Sequence, residues 1–136
     1  MSSLPPGHGF MRYQLPAVLW AVIIFASSSL PSDSLPKIGI LHIDKVAHFV
    51  VFSVLCILTH RATKFQNRFP FLSKHSLVFS ILITILYGAI DETHQYFVPG
   101  RVASWIDLSA DAASAFLYAG VFWLWTWVRG SIQRES

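Results

Sequence analysis

Tyr87-Gly88-Ala89-Ile90-Asp91-Glu92-Thr93-His94-Gln95-Tyr96-Phe97-Val98-Pro99-Gly100-Arg101 opens inside an apolar run and gathers acid, imidazole, amide and guanidinium groups before closing in a Pro-Gly turn. The run leading into it starts at Leu77. From there to Gln95 the chain is about long enough to cross a bilayer, which takes ~20 residues at ~1.5 Å each. Gly88, Glu92 and Gln95 follow an i, i+4, i+7 stripe, so a helix here turns one polar face toward its neighbours. Ionisable groups in sequence this apolar are costly and mark a place where the chain needs them.

Reading outward, a second polar set follows at once: Ser104, Trp105, Asp107 and Asp111. It heads an apolar run over 105–128, on which Ser104, Asp107, Asp111 and Ser114 form another stripe. Trp105 at one end and Trp123, Trp125 and Trp127 at the other are spaced like two aromatic belts. From Trp105 to Trp127 a helix rises about 33 Å, a bilayer's thickness. Upstream lie two more runs, Tyr13 to Leu30, stopped by Pro31, and Val46 to His60. The second is short, with Lys45 and Arg61 placed to snorkel at its ends. The expectation is an all-α, polytopic membrane protein with four transmembrane helices in a small up-down bundle. Residues 13–128 form the membrane domain, between tails over 1–12 and 129–136.

Composition agrees. Hydrophobic residues make up 54% of the 136 and charged residues 12%, about half the charged share of a soluble domain. A formal charge of +3 without a basic block gives no reason to expect a nucleic-acid partner. Cys56 is the single cysteine; it excludes an intramolecular disulfide and reads as a buried, inert thiol. Small residues in the fourth run, such as Ala115 and Ala119, suit close helix packing.

Seven basic residues (Arg12, Arg61, Lys64, Arg68, Lys74, Arg129 and Arg134) fall on the side of the termini and the middle loop. Three (Lys37, Lys45 and Arg101) fall on the other. The positive-inside rule then places both termini in the cytoplasm. Asp33, Asp44, Asp91, Glu92, Asp107 and Asp111 belong to the opposite, outer half.

Asp44 and His48 are one helical turn apart, as are Asp107 and Asp111. Asp111 lies about 9 Å deeper than Trp105 and needs a partner there, for which Lys45, His48 and Arg101 are the candidates. The Pro99-Gly100 turn is expected to bring Arg101 back onto Glu92, Asp107 or both, a pairing suited to its planar fork. Three uses of such a cluster stand open. It locks the helices as a polar plug. It binds a lipid or lipid-linked precursor head group. Or it performs acid–base chemistry, with Glu92 or Asp107 as the proton carrier and His48 assisting. No GxSxG, phosphate-cradling glycine loop or other catalytic motif supports the last, so binding is favoured over an enzyme. Asp44, His48, Glu92, His94 and Asp107 are metal-ligand types, but no spacing such as HExxH is present, and no metal or cofactor is expected. His94 is expected to face the head groups, and His42 and His60 to lie at the interface.

The chain resembles the VanZ-like family of small bacterial membrane proteins. The resemblance rests on Asp44-Lys45-Val46-Ala47-His48-Phe49, Tyr87 to Gln95, Val98-Pro99-Gly100-Arg101 and Ser104-Trp105-Ile106-Asp107-Leu108, with Ser27-Ser28-Ser29 after a Trp-containing first span. It covers about Val18 to Gly120. Position by position it marks Asp44, Lys45, His48, Glu92, Gln95, Arg101 and Asp107. The chain departs from the family pattern at Asp111 and Ser114, where Asn and Gly are frequent. The resemblance implies a small multi-pass protein of the bacterial cytoplasmic membrane and cell envelope; the partners expected of the polar cluster itself are membrane lipids or a lipid-linked envelope precursor. The family takes its name from a protein linked to low-level resistance to the glycopeptide teicoplanin, a link that stands at the level of the family.

Reporter fusions at Asn67 and at Gly100 are expected to report opposite sides of the membrane. The same side for both would overturn the four-span reading.

Overall fold

The computed structural model describes residues 9–31 and 43–135, except the side chains of 43, 44, 134 and 135. The expectations for Asp33, Lys37 and His42, and for the Asp44 side chain, lie outside the described residues. All regular structure among the described residues is helical: α1 (Leu15–Ser28), α2 (Ile43–Lys64), the short α3 (Pro70–Lys74), α4 (Ser76–Gln95) and α5 (Trp105–Glu135). Four helical stretches are long and apolar enough to cross a membrane: Phe10–Ser28, Lys45–Lys64, Ser76–Gln95 and Trp105–Gln133.

A π-helical turn, Phe10–Gln14, leads into α1. Pro16 explains it: its ring cannot donate to the preceding turn and collides with the carbonyl four residues back, so the ladder widens there. At the other end of α1 the three serines turn their hydroxyls onto the last carbonyls. Ser27 donates to Ile23 at 2.8 Å, while Ser28 and Ser29 both donate to Phe25. Hydroxyls competing for backbone acceptors in this way suit a helix end.

Two helices outrun their expected ends. The run over 46–60 is apolar only to His60, but α2 continues to Lys64. Thr63 supports the extra turn by donating back to Thr59 at 2.8 Å, and also to Ser76 across the connection to α4. His60 is therefore inside the bundle rather than at the interface. It is buried, bonded to the Tyr118 hydroxyl at 2.7 Å and edge-on to Phe122. α5 likewise runs on past Val128 to Glu135.

The helices alternate in direction. Gln14, at the start of the first span, donates to Ala62 near the end of α2. His48 and His60 of α2 meet Asp111 and Tyr118 of α5 in the same order, so those two helices run parallel. The interior is narrow where α2, α4 and α5 meet, and small residues make that possible. Cys56, Ser80, Thr84, Ser114 and Ala115 are almost wholly buried, as expected where helix backbones approach closely in lipid. Ser80, Thr84 and Ser114 satisfy their hydroxyls on their own helices. Ile24, Phe52 and Leu55 form the apolar core, with Trp20, Ala21, Val51 and Tyr87 around it. Trp20 donates to the Val51 carbonyl at 3.0 Å and Tyr87 to the Ala21 carbonyl at 2.5 Å, fastening α1 to α2 and α4.

Large apolar side chains line the outside: Val22, Leu82, Leu86 and Leu117 are all more than half exposed. An exterior more apolar than the interior suits hydrocarbon as the surrounding medium. Trp105, Trp123, Trp125 and Trp127 are exposed at the two ends of the fourth span, and Arg129 stacks over Trp125 at 4.1 Å. Changing Trp123, Trp125 and Trp127 together to Phe is expected to leave accumulation and detergent melting nearly unchanged, since surface substitutions cost within about 0.5 kcal/mol each. Loss of the protein would place them in a core.

Candidate functional site

Four carboxylates, Asp91, Glu92, Asp107 and Asp111, are buried at the end of the bundle where α4 finishes and α5 begins. The connection between these helices sets their positions. Val98-Pro99-Gly100-Arg101 makes a turn closed by Arg101 N–H donating to the Val98 carbonyl at 3.1 Å. Gly100 has φ 75°, the left-handed value that the third position of a type II turn requires, with Pro preceding it. Ser104 then caps α5. Its carbonyl accepts from Asp107 and Leu108, and its hydroxyl accepts from Ile106 and Asp107. The Ser104 N–H donates to Glu92 Oε2 at 2.7 Å. One serine thus starts α5 and fixes the acid that ends α4.

Glu92 Oε1 is left pointing at His48, 4.0 Å from Nδ1. The same His48 nitrogen lies 3.3 Å from Asp111 Oδ1. Asp111 is wholly buried, and His48, one of its three expected partners, reaches it. Lys45 pairs with Asp107 at 2.6 Å, one turn toward the helix start. Lys45, His48, Glu92, Ser104, Asp107 and Asp111 thus lie together in space. Gln95 joins at the edge, donating to Asp91 at 2.9 Å.

Arg101 is not where the sequence put it. Its Nε donates to the Leu30 carbonyl and its Nη2 to the Ser27 carbonyl, both at 3.1 Å. The end of α1 leaves carbonyls without helical partners and carries the negative pole of the helix dipole, so it competes well for a guanidinium. One oxygen of Glu92 is meanwhile held by the Ser104 N–H, and Asp107 is paired with Lys45. His94 packs on the end of α1. It is half-buried, 2.9 Å from the Ser29 hydroxyl, and stacked on Phe25. Asp91 is the residue that sequence reasoning missed. Three residues after Gly88 and four before Gln95, it lies on the same stripe, and that spacing was the available signal.

Beside the cluster, between α1, α2 and α4, is a cavity of about 300 Å³. Trp20, Ile23, Ile24, Val51 and Phe52 supply apolar walls, and His48, Asp91, Gln95 and Arg101 the polar end. Asp91 Oδ1 has no hydrogen-bond partner among the described residues, nor do Glu92 Oε1 and Asp111 Oδ2. The site therefore offers acceptors and an imidazole oriented by a carboxylate. That is equipment for holding hydrogen-bond donors or cations, or for moving a proton.

Gly88 is a condition of this arrangement. A Cβ there would stand 2.8 Å from Asp111 Oδ2. Gly88→Ala is expected to destabilise by about 1–3 kcal/mol, as overpacking does, read as a lower melting temperature in detergent. The penalty should shrink in an Asp111→Ala background, because contacting pairs couple. An equal penalty in both backgrounds would remove the steric explanation.

The VanZ/LLP1 family profile matches residues 3–126 of the chain. No curated protein and no solved structure shows significant similarity to it.

Proposed function

The chain belongs to the VanZ/LLP1 family, and we propose that it binds an amphiphilic lipid, a membrane lipid or lipid-linked envelope precursor, with the head group at the carboxylate end of the bundle. The observation that carries this is the cavity among α1, α2 and α4, whose apolar walls run up to a polar end. At about 300 Å³ it is at the lower end of ligand-pocket sizes and suits one chain segment and part of a head group. Asp91 lines this space, and its buried Oδ1, without a partner among the described residues, calls for a donor. The head group therefore carries hydroxyl or amine hydrogens, since an unmet buried acceptor costs about 1–3 kcal/mol. Ile23, more than half exposed, lies on the lining, so the guest enters sideways from the bilayer. The seven-to-three distribution of basic residues supports a cytoplasmic membrane location with both termini inside and the head group in the outer leaflet.

A second reading, acid–base chemistry on the bound lipid, is favoured by one observation: His48 lines the cavity while Asp111 orients its ring from behind. Comparison of lipid products from wild-type and deletion cells separates the two, because binding alone generates no new species.

Ala47 lines the cavity from an exposed position, so Ala47→Trp blocks it without entering the core. Lipids extracted from protein purified in native nanodiscs are expected to show one amphiphile enriched over the bulk membrane. In Ala47→Trp its occupancy should fall about tenfold, equivalent to ~1.4 kcal/mol of binding. Bulk lipid composition in the wild type, or undiminished enrichment in a folded Ala47→Trp, would overturn the lipid reading.

A further inference from the structure

We propose that His48, Glu92 and Asp111 form a binding site for a first-row divalent cation such as Zn2+ or Mn2+. One ligand atom from each lies within 4.8 Å of the other two. The pairs to His48 Nδ1 are 3.3 Å for Asp111 Oδ1 and 4.0 Å for Glu92 Oε1. Ligands held about 2.0–2.2 Å from an ion stand roughly 3–3.5 Å apart, so small side-chain rotations close the site.

The cluster is more than an accumulation of acids. Glu92 and Asp111 are 6% and 0% exposed, and each keeps one oxygen, Glu92 Oε1 and Asp111 Oδ2, without a hydrogen-bond partner among the described residues. Glu92 Oε1 faces the imidazole nitrogen unmet, and Asp111 reaches the same nitrogen through Oδ1, so when both acids are ionised a single imidazole stands against two buried carboxylates. A divalent ion removes that deficit at one stroke, and in surroundings this poorly solvated the attraction is strong. The supports behind the ligands also fit. Ser104 N–H holds Glu92 Oε2 and so aims Oε1 inward, and Gly88 leaves the room that Asp111 Oδ2 occupies. Such outer partners fix ligand orientation in metal sites.

One nitrogen and two carboxylates select first-row ions over Mg2+ and Ca2+, which prefer oxygen-only sets. Three protein ligands leave coordination open, and since His48 lines the cavity, the open side adjoins it. The three residues come from three helices, so no spacing within the sequence could announce them. The site stands on these ligands whatever occupies the cavity.

The test uses the full-length protein in detergent, stripped with EDTA and dialysed separately against Zn2+, Mn2+, Mg2+ and Ca2+, with bound metal measured by mass spectrometry. The wild type is expected to retain about one Zn2+ or Mn2+ per chain, in line with a single three-ligand site, and to exclude Mg2+ and Ca2+. Pulsed EPR of the Mn2+ form should show coupling to one histidine nitrogen. Glu92→Gln and Asp111→Asn should lower the affinity at least about 10-fold, the low end even for an outer-shell loss, while His94→Gln retains it. Wild-type protein that holds no ion, or bound Mn2+ without nitrogen coupling, would overturn the site. So would folded Glu92→Gln and Asp111→Asn proteins that load like the wild type. Should those variants not fold, the wild-type uptake and nitrogen signal decide alone.

Discussion

The carboxylate end of this bundle is organised around one hydrogen bond, from the Ser104 N–H to Glu92 Oε2. Capped helix starts leave N–H groups seeking acceptors, and buried carboxylates seek donors. Here each answers the other across a nine-residue connection between two spans. With Glu92 fixed, α5 begins at a set height, and Asp107 and Asp111 follow one and two turns down. Lys45 and His48 on α2 sit one turn apart and meet them in the same order. The constellation is a ladder of matched helical repeats anchored at its top rung.

The remainder of the bundle follows from the medium. Hydrocarbon outside gives helices no hydrophobic reason to associate, so packing, hydrogen bonds and shape must supply it. Small residues at the α2–α4–α5 contact meet that need, and the aromatic and aliphatic mass goes to the exterior. The apolar core that does exist, around Phe52, lies next to α1, where the helices stand further apart and a cavity opens.

The four spans were legible because length and apolarity suffice to mark them, and the stripes through Glu92 and Asp111 were legible because helical spacing is fixed. Less legible was anything set by competition between acceptors. Arg101 had acids of suitable charge within reach of its turn, yet it lies on the carbonyls of Ser27 and Leu30. Charge pairing is visible in a sequence, whereas the exposed end of another helix is not. The extra turn of α2 was missed for a related reason. Its residues are polar, and their tertiary partners, Ser76 among them, lie on the next span. His60 was misread as interfacial in consequence. Asp91 was overlooked only because Glu92 stood beside it.

The fastening of α1 has a consequence for how this helix can vary. Tyr87, Arg101 and Trp20 account for much of its attachment, and the first two grip its main-chain oxygens rather than its side chains. Replacing Ala21 or Leu30 leaves those oxygens in place. The position of α1 is thus largely independent of its own sequence at these points, while Ile23 and Ile24 on the same helix line the cavity. Ile24 on that wall belongs to the core, but Ile23 is more than half exposed and can change without loosening the frame that holds it. At Ile23, then, a change in the shape of the cavity is separable from a change that unfolds the protein, and the two demands on α1 fall on neighbouring residues.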